Sequence, residues 1–174
     1  MSELNVMGAL LQGFGGACIN LKILAGDEIG PLLADIAPPE FYPLERYRAL
    51  TDLVNRKYPD ASPIKEQAGV EMMNLWYNFG PGKGLVTSGP DFLRFQTGSG
   101  GYYSVVKGTP EQIGSFTLRE IDETKGKAVV HSTTPLDRDI ERGVLLGGMR
   151  LTGELKFVRV DNSKDKDTYE IVFR

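Results

Sequence analysis

The sequence is poor in the side chains that build metal centres and disulfides. Its 174 residues include one cysteine, Cys18, and one histidine, His131. A single cysteine cannot form an intramolecular disulfide, which suits a reducing compartment, and a zinc site ordinarily needs several cysteine, histidine or carboxylate ligands. We therefore expect no disulfide and no metal, and we interpret Cys18 as a small buried residue.

Excess positive charge and long apolar segments are also missing. The formal net charge is −3 and lysine and arginine are not clustered, whereas a protein that binds nucleic-acid backbones carries a basic patch. No apolar run approaches the roughly 20 residues of a membrane-spanning helix, and the N-terminus lacks the basic start of a signal peptide. We predict a cytoplasmic protein that binds neither nucleic acid nor membrane.

Phosphate-binding loops are a third absence. The stretch RGVLLGGMRLTG (142–153) has glycines inside a predicted helix, not before it, and GPGKGL (80–85) has Gly84 where a phosphate loop needs serine or threonine. Gly143 and Gly147 are four apart and share a helical face. Each costs about 1 kcal/mol relative to alanine in a helix, so we expect either close packing or a ligand groove to compensate for them.

Helical periodicity dominates the chain up to about residue 95. Apolar spacing and proline positions predict helices over 4–14, 27–37, 43–57, 62–79 and, more briefly, 90–95. The first should end at Gly15 and Gly16. Asp27 and Ser62 are candidate N-caps, the latter in a capping box with Glu66. Residues 96–108 fit either a short helix or an extended segment.

The period changes after residue 114. Four segments alternate as strands do, with the glycine-containing helix 135–153 between the second and the third: 115–122, 127–134, 154–161 and 168–174. This order predicts an α+β fold in which N-terminal helices pack on a C-terminal antiparallel sheet, a ββαββ unit. We predict one domain over 1–174, divided into a helical segment, a helical layer and the sheet unit: 1–40, 41–110 and 114–174.

The acidic stretch TTPLDRDIERG (133–143) admits two interpretations. Asp137 or Asp139, with His131 nearby, could serve a carboxylate-dependent hydrolase. Alternatively, the acids favour the first turn of a helix and pair with Arg138 and Arg142 on a solvated face. No serine lies in a nucleophile elbow, and we favour the structural interpretation, in which His131 is a surface or sheet-edge residue.

Aromatic residues are concentrated in the middle third of the chain. Core packing explains most of them, but an apolar pocket between helices and sheet would use the same side chains. The candidate ligand-binding residues are therefore Trp76, Tyr77, Phe92, Phe95 and Tyr102, together with Gly147.

From Phe41 onward, the order of sequence features is similar to that of known protein families. Four stretches precede a glycine-containing helix and a strand pair: FYPLERYRALTDLVNRKYPD, AGVEMMNLWY, GPDFLRF and GSFTLREIDETKGKAVVHSTTP. In these stretches the chain resembles a paralogous family abundant in myxobacteria. They resemble more distantly the 4-vinyl-reductase-type ligand-binding domains, the haem-nitric-oxide-binding fold and trafficking-complex subunits of similar build. The resemblance implies an α/β sandwich whose helix–sheet gap holds a ligand in some relatives, with sensory, regulatory or dimerising roles.

The chain departs from the liganded relatives. It has no cysteine after Cys18, no histidine in the helix 62–79, and its YYSVV lacks the arginine of the Tyr-x-Ser-x-Arg motif. The resemblance therefore carries over neither haem nor cysteine-bound metal, and we predict no cofactor.

Three functions follow from these observations. The first is a non-catalytic cytoplasmic sensory or regulatory domain that binds a small apolar ligand between the helices and the sheet. The second is a protein-interaction or homodimerisation scaffold without a ligand. The third, which we favour least, is the carboxylate-dependent hydrolase.

Overall fold

A computed structural model describes residues 3–174. Its helices are α1 (Gly8–Asn20), α2 (Gly26–Leu33), α3 (Leu44–Lys57), α4 (Ser62–Phe79), α5 (Gly89–Thr97), the short α6 (Tyr102–Val105) and α7 (Pro110–Ile113), and α8 (Arg138–Arg150). Its strands are β1 (Asn5–Met7), β2 (Phe41–Pro43), β3 (Val106–Lys107), β4 (Phe116–Asp122), β5 (Lys127–Ser132), β6 (Val158–Asp161) and β7 (Thr168–Phe173).

The C-terminal strands form the predicted antiparallel platform. Their order is β4-β5-β7-β6, and every neighbouring pair is antiparallel. Tyr169, Ile171 and Phe173 of β7 all face the core, as the period of two predicts. The α+β fold class and the ββαββ unit are therefore confirmed, with α8 as the helix between the two strand pairs.

Glycines bring α8 against α4. A Cβ atom on Gly143 would lie 2.0 Å from the Glu66 carbonyl oxygen, and one on Gly147 would lie 2.8 Å from the Val70 Cα. Gly69 of α4 approaches α8 in the same way, since its Cβ would lie 2.4 Å from the Ile140 carbonyl oxygen. The packing interpretation of the glycine stretch is therefore right, and α8 lies between the four-stranded sheet and the N-terminal helices.

Three local predictions are wrong. Helix α1 continues through Gly15 to Asn20. Gly15 serves packing and does not end the helix, since a Cβ there would be 2.4 Å from the Leu33 Cδ1 of α2. Ser62 begins α4 but caps nothing, since its hydroxyl donates to Asp139 at 2.8 Å. Asp27 lies within the first turn of α2 and not at its N-cap, which is Ala25.

A second sheet, β2-β1-β3, was not predicted from the sequence, and its strand β1 (Asn5–Met7) lies where the predicted helix 4–14 should begin. Its strands have two or three residues each, too few to show a period of two. None of the helices in the described part of the chain is both long and apolar enough to cross a membrane.

Candidate functional site

An apolar cleft of about 610 Å³ opens among the helices. Its walls come mainly from α1, α4, α5 and α6, with contributions from neighbouring loops and one residue of α8, Val144. Methionine, leucine and aromatic side chains dominate the lining, and no charged residue of the described chain belongs to it. Such a concave, mostly apolar surface with few polar groups is typical of a small-molecule site.

Trp76 is the fixed aromatic wall of the cleft. Its ring lies 5.5 Å from that of Phe95 and 6.4 Å from that of Phe92, centroid to centroid. The backbone at Gly82 covers part of the indole, since a Cβ there would lie 2.5 Å from the Trp76 Cε3. At the rim, Phe79 is 86% exposed although it follows the same helical stripe.

The predicted ligand-binding residues do not all meet in this cleft. Trp76 and Phe95 line it, and Tyr102 lines a smaller cavity at its inner side. Phe92 is fully buried beneath Trp76 and packs on α8, where a Cβ at Gly148 would be 2.0 Å from its ring. Tyr77 lies outside the lining because successive residues of a helix point about 100° apart.

The position of the cleft also differs from the prediction. It lies between helices, whereas the sequence interpretation placed a ligand between helices and sheet. The reason is α8, which fills the space above the four-stranded sheet, and Gly147 on it faces Val70 of α4 instead of a cavity.

Sequence reasoning missed the methionine and glutamine residues of the lining, which are Met7, Met72, Met73, Gln12 and Gln96. They are far apart along the chain and converge only in the folded state. Gln96 in particular lies just beyond the predicted helix 90–95, in the segment 96–108 whose conformation the sequence left open, and the structure places it in the last turn of α5.

A smaller cavity of about 50 Å³, which we call the inner cavity, adjoins the cleft. The two spaces share five lining residues, Leu10, Met72, Gln96, Val105 and Val144. Tyr47, Phe116 and Glu141 also border the inner cavity. The hydroxyl of Tyr102 donates to the Ile113 carbonyl at 2.6 Å, so this polar group is already paired.

A buried carboxylate, Glu141, lies beside the inner cavity. It accepts hydrogen bonds from Ser132 (2.9 Å) and Thr134 (2.5 Å), which lie at and just beyond the end of β5. It also accepts from the Tyr169 hydroxyl of β7 (2.8 Å) and from Arg138 one turn earlier on α8 (3.2 Å). Glu141 is only 7% exposed, so the predicted solvated face is wrong at this position, because this side of α8 packs on the sheet.

Burial controls the acid–base behaviour of this group. Desolvation raises the pKa of Glu141 above its usual value, although the hydrogen bonds from Thr134, Tyr169 and Ser132 and the positive charge of Arg138 act to lower it. The carboxyl group is thus neutral over a wider pH range than a free glutamate. Burial likewise raises the pKa of the Tyr169 hydroxyl, and the nearby Glu141 adds to that shift.

The other acids of the stretch join α8 to α4. Asp137 caps α8, accepting from the Asp139 and Ile140 amides at 2.9 and 3.1 Å, and its second oxygen pairs with the buried Lys65 at 2.7 Å. Asp139 binds Lys65 and Arg142, and its pKa is lowered by the Ser62 hydroxyl and these two cations, which outweigh its desolvation.

Metal-ligating and nucleophilic groups are dispersed. The Nδ1 atom of His131 lies 3.1 Å from the Thr168 hydroxyl on β7, and neither residue lines the cleft. Cys18 is buried, as predicted, and burial raises the pKa of its thiol to about 12. Among residues 3–174, no group of three or more His, Cys, Asp and Glu residues could hold a metal ion.

Comparison with known proteins gives similarity of structure only. No protein-family model matches the sequence, and no curated protein matches it. A solved structure of a single-substitution variant of "Tt H-NOX" is similar with a TM-score of 0.68 and 14% identity, covering 97% of this chain and 95% of the other. A second, described as "Modulating Heme Redox Potential Through Protein-Induced Porphyrin Distortion", has a TM-score of 0.66 and 13% identity, with coverage of 97% and 99%.

These similarities concern the fold. The resemblance to the haem-nitric-oxide-binding fold is confirmed at that level, whereas the resemblance to the myxobacterial family stays a prediction. The matched region spans nearly the full length of both chains in each comparison. The chain therefore has an H-NOX-like α+β fold.

Proposed function

We propose that this domain binds a small, uncharged apolar molecule in the cleft beside Trp76 and acts as a sensory or regulatory module. The observation that carries the proposal is a cleft of about 610 Å³ whose lining is apolar and free of charged residues in the described chain. A cleft of this size with an apolar lining favours an apolar ligand, because the free energy gained on binding is proportional to the apolar area removed from water.

Haem does not fit the residues that line this cleft. Haem iron is held in proteins by histidine, cysteine, tyrosine or methionine, and His131 and Cys18 lie outside the lining. The hydroxyl of Tyr102 is committed to a carbonyl group, which leaves methionine thioethers as the remaining ligand type. The two carboxylates of haem would find no lysine or arginine in the lining, so we derive no haem chemistry for this domain.

We further propose that the domain acts without catalysis. The support is that each candidate for a hydrolase has a structural partner. Asp137 caps α8, Asp139 binds Lys65 and Arg142, and His131 lies against Thr168. Titratable groups engaged in this way serve packing and capping.

The proposal can be tested with N-phenyl-1-naphthylamine, a neutral fluorescent probe. Because Trp76 is the only tryptophan and lines the cleft, quenching of the protein emission on titration reports binding, and the comparison with the Gly13→Leu variant assigns that binding to the cleft. We expect saturable quenching in the wild type, roughly tenfold weaker binding in Gly13→Leu, and no saturable change of the haem absorption band on addition of hemin.

The Gly13→Leu variant fills the cleft without disturbing the core. Gly13 belongs to the lining, and a Cβ atom there would meet only the Met72 Cε at 3.9 Å. The matched control is Gly26→Leu in the first turn of α2, where a Cβ meets nothing within 4 Å. Equal binding by both variants, or hemin binding at one equivalent, would contradict the proposal.

One observation favours the scaffold function as a second candidate. Phe79 and Leu85, at the rim of the cleft, are 86% and 49% exposed, and exposed apolar patches often mark protein contacts. If this rim mediates self-association, light scattering should detect a dimer that Phe79→Ser reduces to monomer. A monomer at every concentration would exclude the homodimer.

A further inference from the structure

The junction between the cleft and the inner cavity contains one polar side chain. Of the five described residues that line both spaces, Leu10, Met72, Val105 and Val144 are apolar. The fifth is Gln96, in the last turn of α5. A molecule that extends from the cleft into the inner cavity would therefore pass this amide.

The amide of Gln96 has no hydrogen-bond partner within the described chain, unlike the other polar aliphatic side chains of the cleft. Gln12 donates to the Ile36 carbonyl at 2.7 Å, and the Ser104 hydroxyl lies 2.6 and 2.9 Å from the Gly101 and Gly100 carbonyls. No buried polar side-chain atom in residues 3–174 lacks a partner, so the Gln96 amide is accessible to solvent. It keeps both a donor and an acceptor for a ligand.

Charge restricts what this amide can recognise. The cleft lining has no charged residue, so an anionic or cationic group would lose water without gaining a counter-ion. The inner cavity borders Glu141, and both oxygens of this carboxylate already accept hydrogen bonds. An anion would come close to this acid, and a cation would compete with Arg138 and three hydroxyl groups for it.

We propose that the ligand is an uncharged, largely apolar molecule with one hydroxyl or carbonyl group, and that the Gln96 amide hydrogen-bonds to this group. The apolar body would lie against Trp76 and Phe95. This inference rests on the proposed function, and it adds the chemical class of the ligand and the residue that determines it.

The test measures displacement of N-phenyl-1-naphthylamine by three compounds of one shape: naphthalene, 2-naphthol and 2-naphthoate. In the wild type we expect 2-naphthol to bind about 3–10-fold more tightly than naphthalene, the range of one net hydrogen bond. The anion 2-naphthoate should bind at least roughly tenfold more weakly than 2-naphthol, because it lacks a counter-ion.

The variants Gln96→Met and Gln96→Leu keep the size of the side chain and remove its amide. In both variants 2-naphthol and naphthalene should bind with equal affinity, because the group that distinguishes them is gone. Gln67→Met is the control, because Gln67 is an exposed residue of α4 outside the cleft. Thermal unfolding of each variant shows whether it is folded.

The outcomes separate this inference from the function on which it rests. If neither naphthalene nor the fluorescent probe binds, the proposed function fails. If both bind but 2-naphthol keeps its advantage in both Gln96 variants, only the role of Gln96 is overturned. Tightest binding by 2-naphthoate would overturn the uncharged class of ligand.

Discussion

Replacement of Glu141 by leucine is expected to lower the free energy of unfolding by about 3–5 kcal/mol, measured by urea denaturation at mildly acidic pH. The variant removes the buried carboxylate that accepts from the hydroxyls of Ser132, Thr134 and Tyr169. Tyr169 keeps a second acceptor, the Arg138 carbonyl at 3.0 Å, so the cost falls mainly on Ser132 and Thr134. Each unsatisfied buried group costs about 1–3 kcal/mol. Arg138 loses one ion-pair partner but keeps Asp167, 2.9 Å away, so its contribution to the destabilisation is smaller.

The control for this prediction is Glu45→Leu. Glu45 is exposed in the first turn of α3, and it loses only a favourable interaction with the helix dipole, about 0.3–1 kcal/mol. If Glu141→Leu lowers the free energy of unfolding no more than Glu45→Leu does, the buried hydrogen-bond network contributes no stability.

The pH dependence supplies a second measurement on the same variant. The pKa of Glu141 is raised in the folded state, so between its ordinary and its raised value the folded protein binds more protons than the unfolded chain. The wild type therefore loses stability as the pH rises through this window. The leucine variant lacks the group, so the difference between the two proteins should be largest at acidic pH and decrease towards neutral pH; an increase would contradict the assigned direction.

Replacement of Gly143 by alanine is expected to destabilise the protein by about 1–2 kcal/mol net of the helix preference, although alanine is the better helix former by about 1 kcal/mol. The added methyl group would lie 2.0 Å from the Glu66 carbonyl oxygen and within 3.0 Å of two more backbone atoms of Glu66. Backbone cannot rotate away as a flexible side chain can, so α4 and α8 must separate. Overpacking of this kind costs about 1–3 kcal/mol, occasionally more.

Gly16→Ala is the matched control for Gly143→Ala. Gly16 also lies inside a helix, α1, but its added Cβ would meet only the Leu75 Cδ1 at an ordinary 3.7 Å. At this position the higher helix propensity of alanine is not offset by a steric clash, so we expect the free energy of unfolding to stay the same or rise by up to about 1 kcal/mol. The two substitutions should differ in sign in urea denaturation, and a gain in both would show that α4 and α8 do not require the glycine contact.

The two variants also bear on the cleft. Val144 of α8 and Met72 of α4 belong to the lining of both cavities, and the glycine contact sets the distance between their helices. Separation of α4 from α8 should therefore change the shape of the inner cavity as well as the stability. Weakened binding of the naphthalene series to Gly143→Ala, with unchanged binding to Gly16→Ala, would show that the two properties are linked.

Local patterns were sufficient to predict most of the elements. The helices α3, α4, α5 and α8 and the strands β4, β5 and β7 lie close to their predicted ranges, because apolar period and proline positions act over a few residues. Strand β6 begins only at Val158, although the predicted strand begins at 154. The short sheet of β1, β2 and β3 and the extension of α1 beyond Gly16 were not predicted. Both depend on partners that are distant in sequence, such as Leu33 beside Gly15.

The sequence by itself determined the fold class and the antiparallel pairing at the C-terminus. These properties follow from the order and period of side chains along the chain. Only the tertiary structure decided that the cleft lies between helices, that Gln96 lines both the cleft and the inner cavity, and that Glu141 is buried. The physical reason is that a cavity and a desolvated charge are created by segments far apart in the chain, and no local pattern encodes the distance between them.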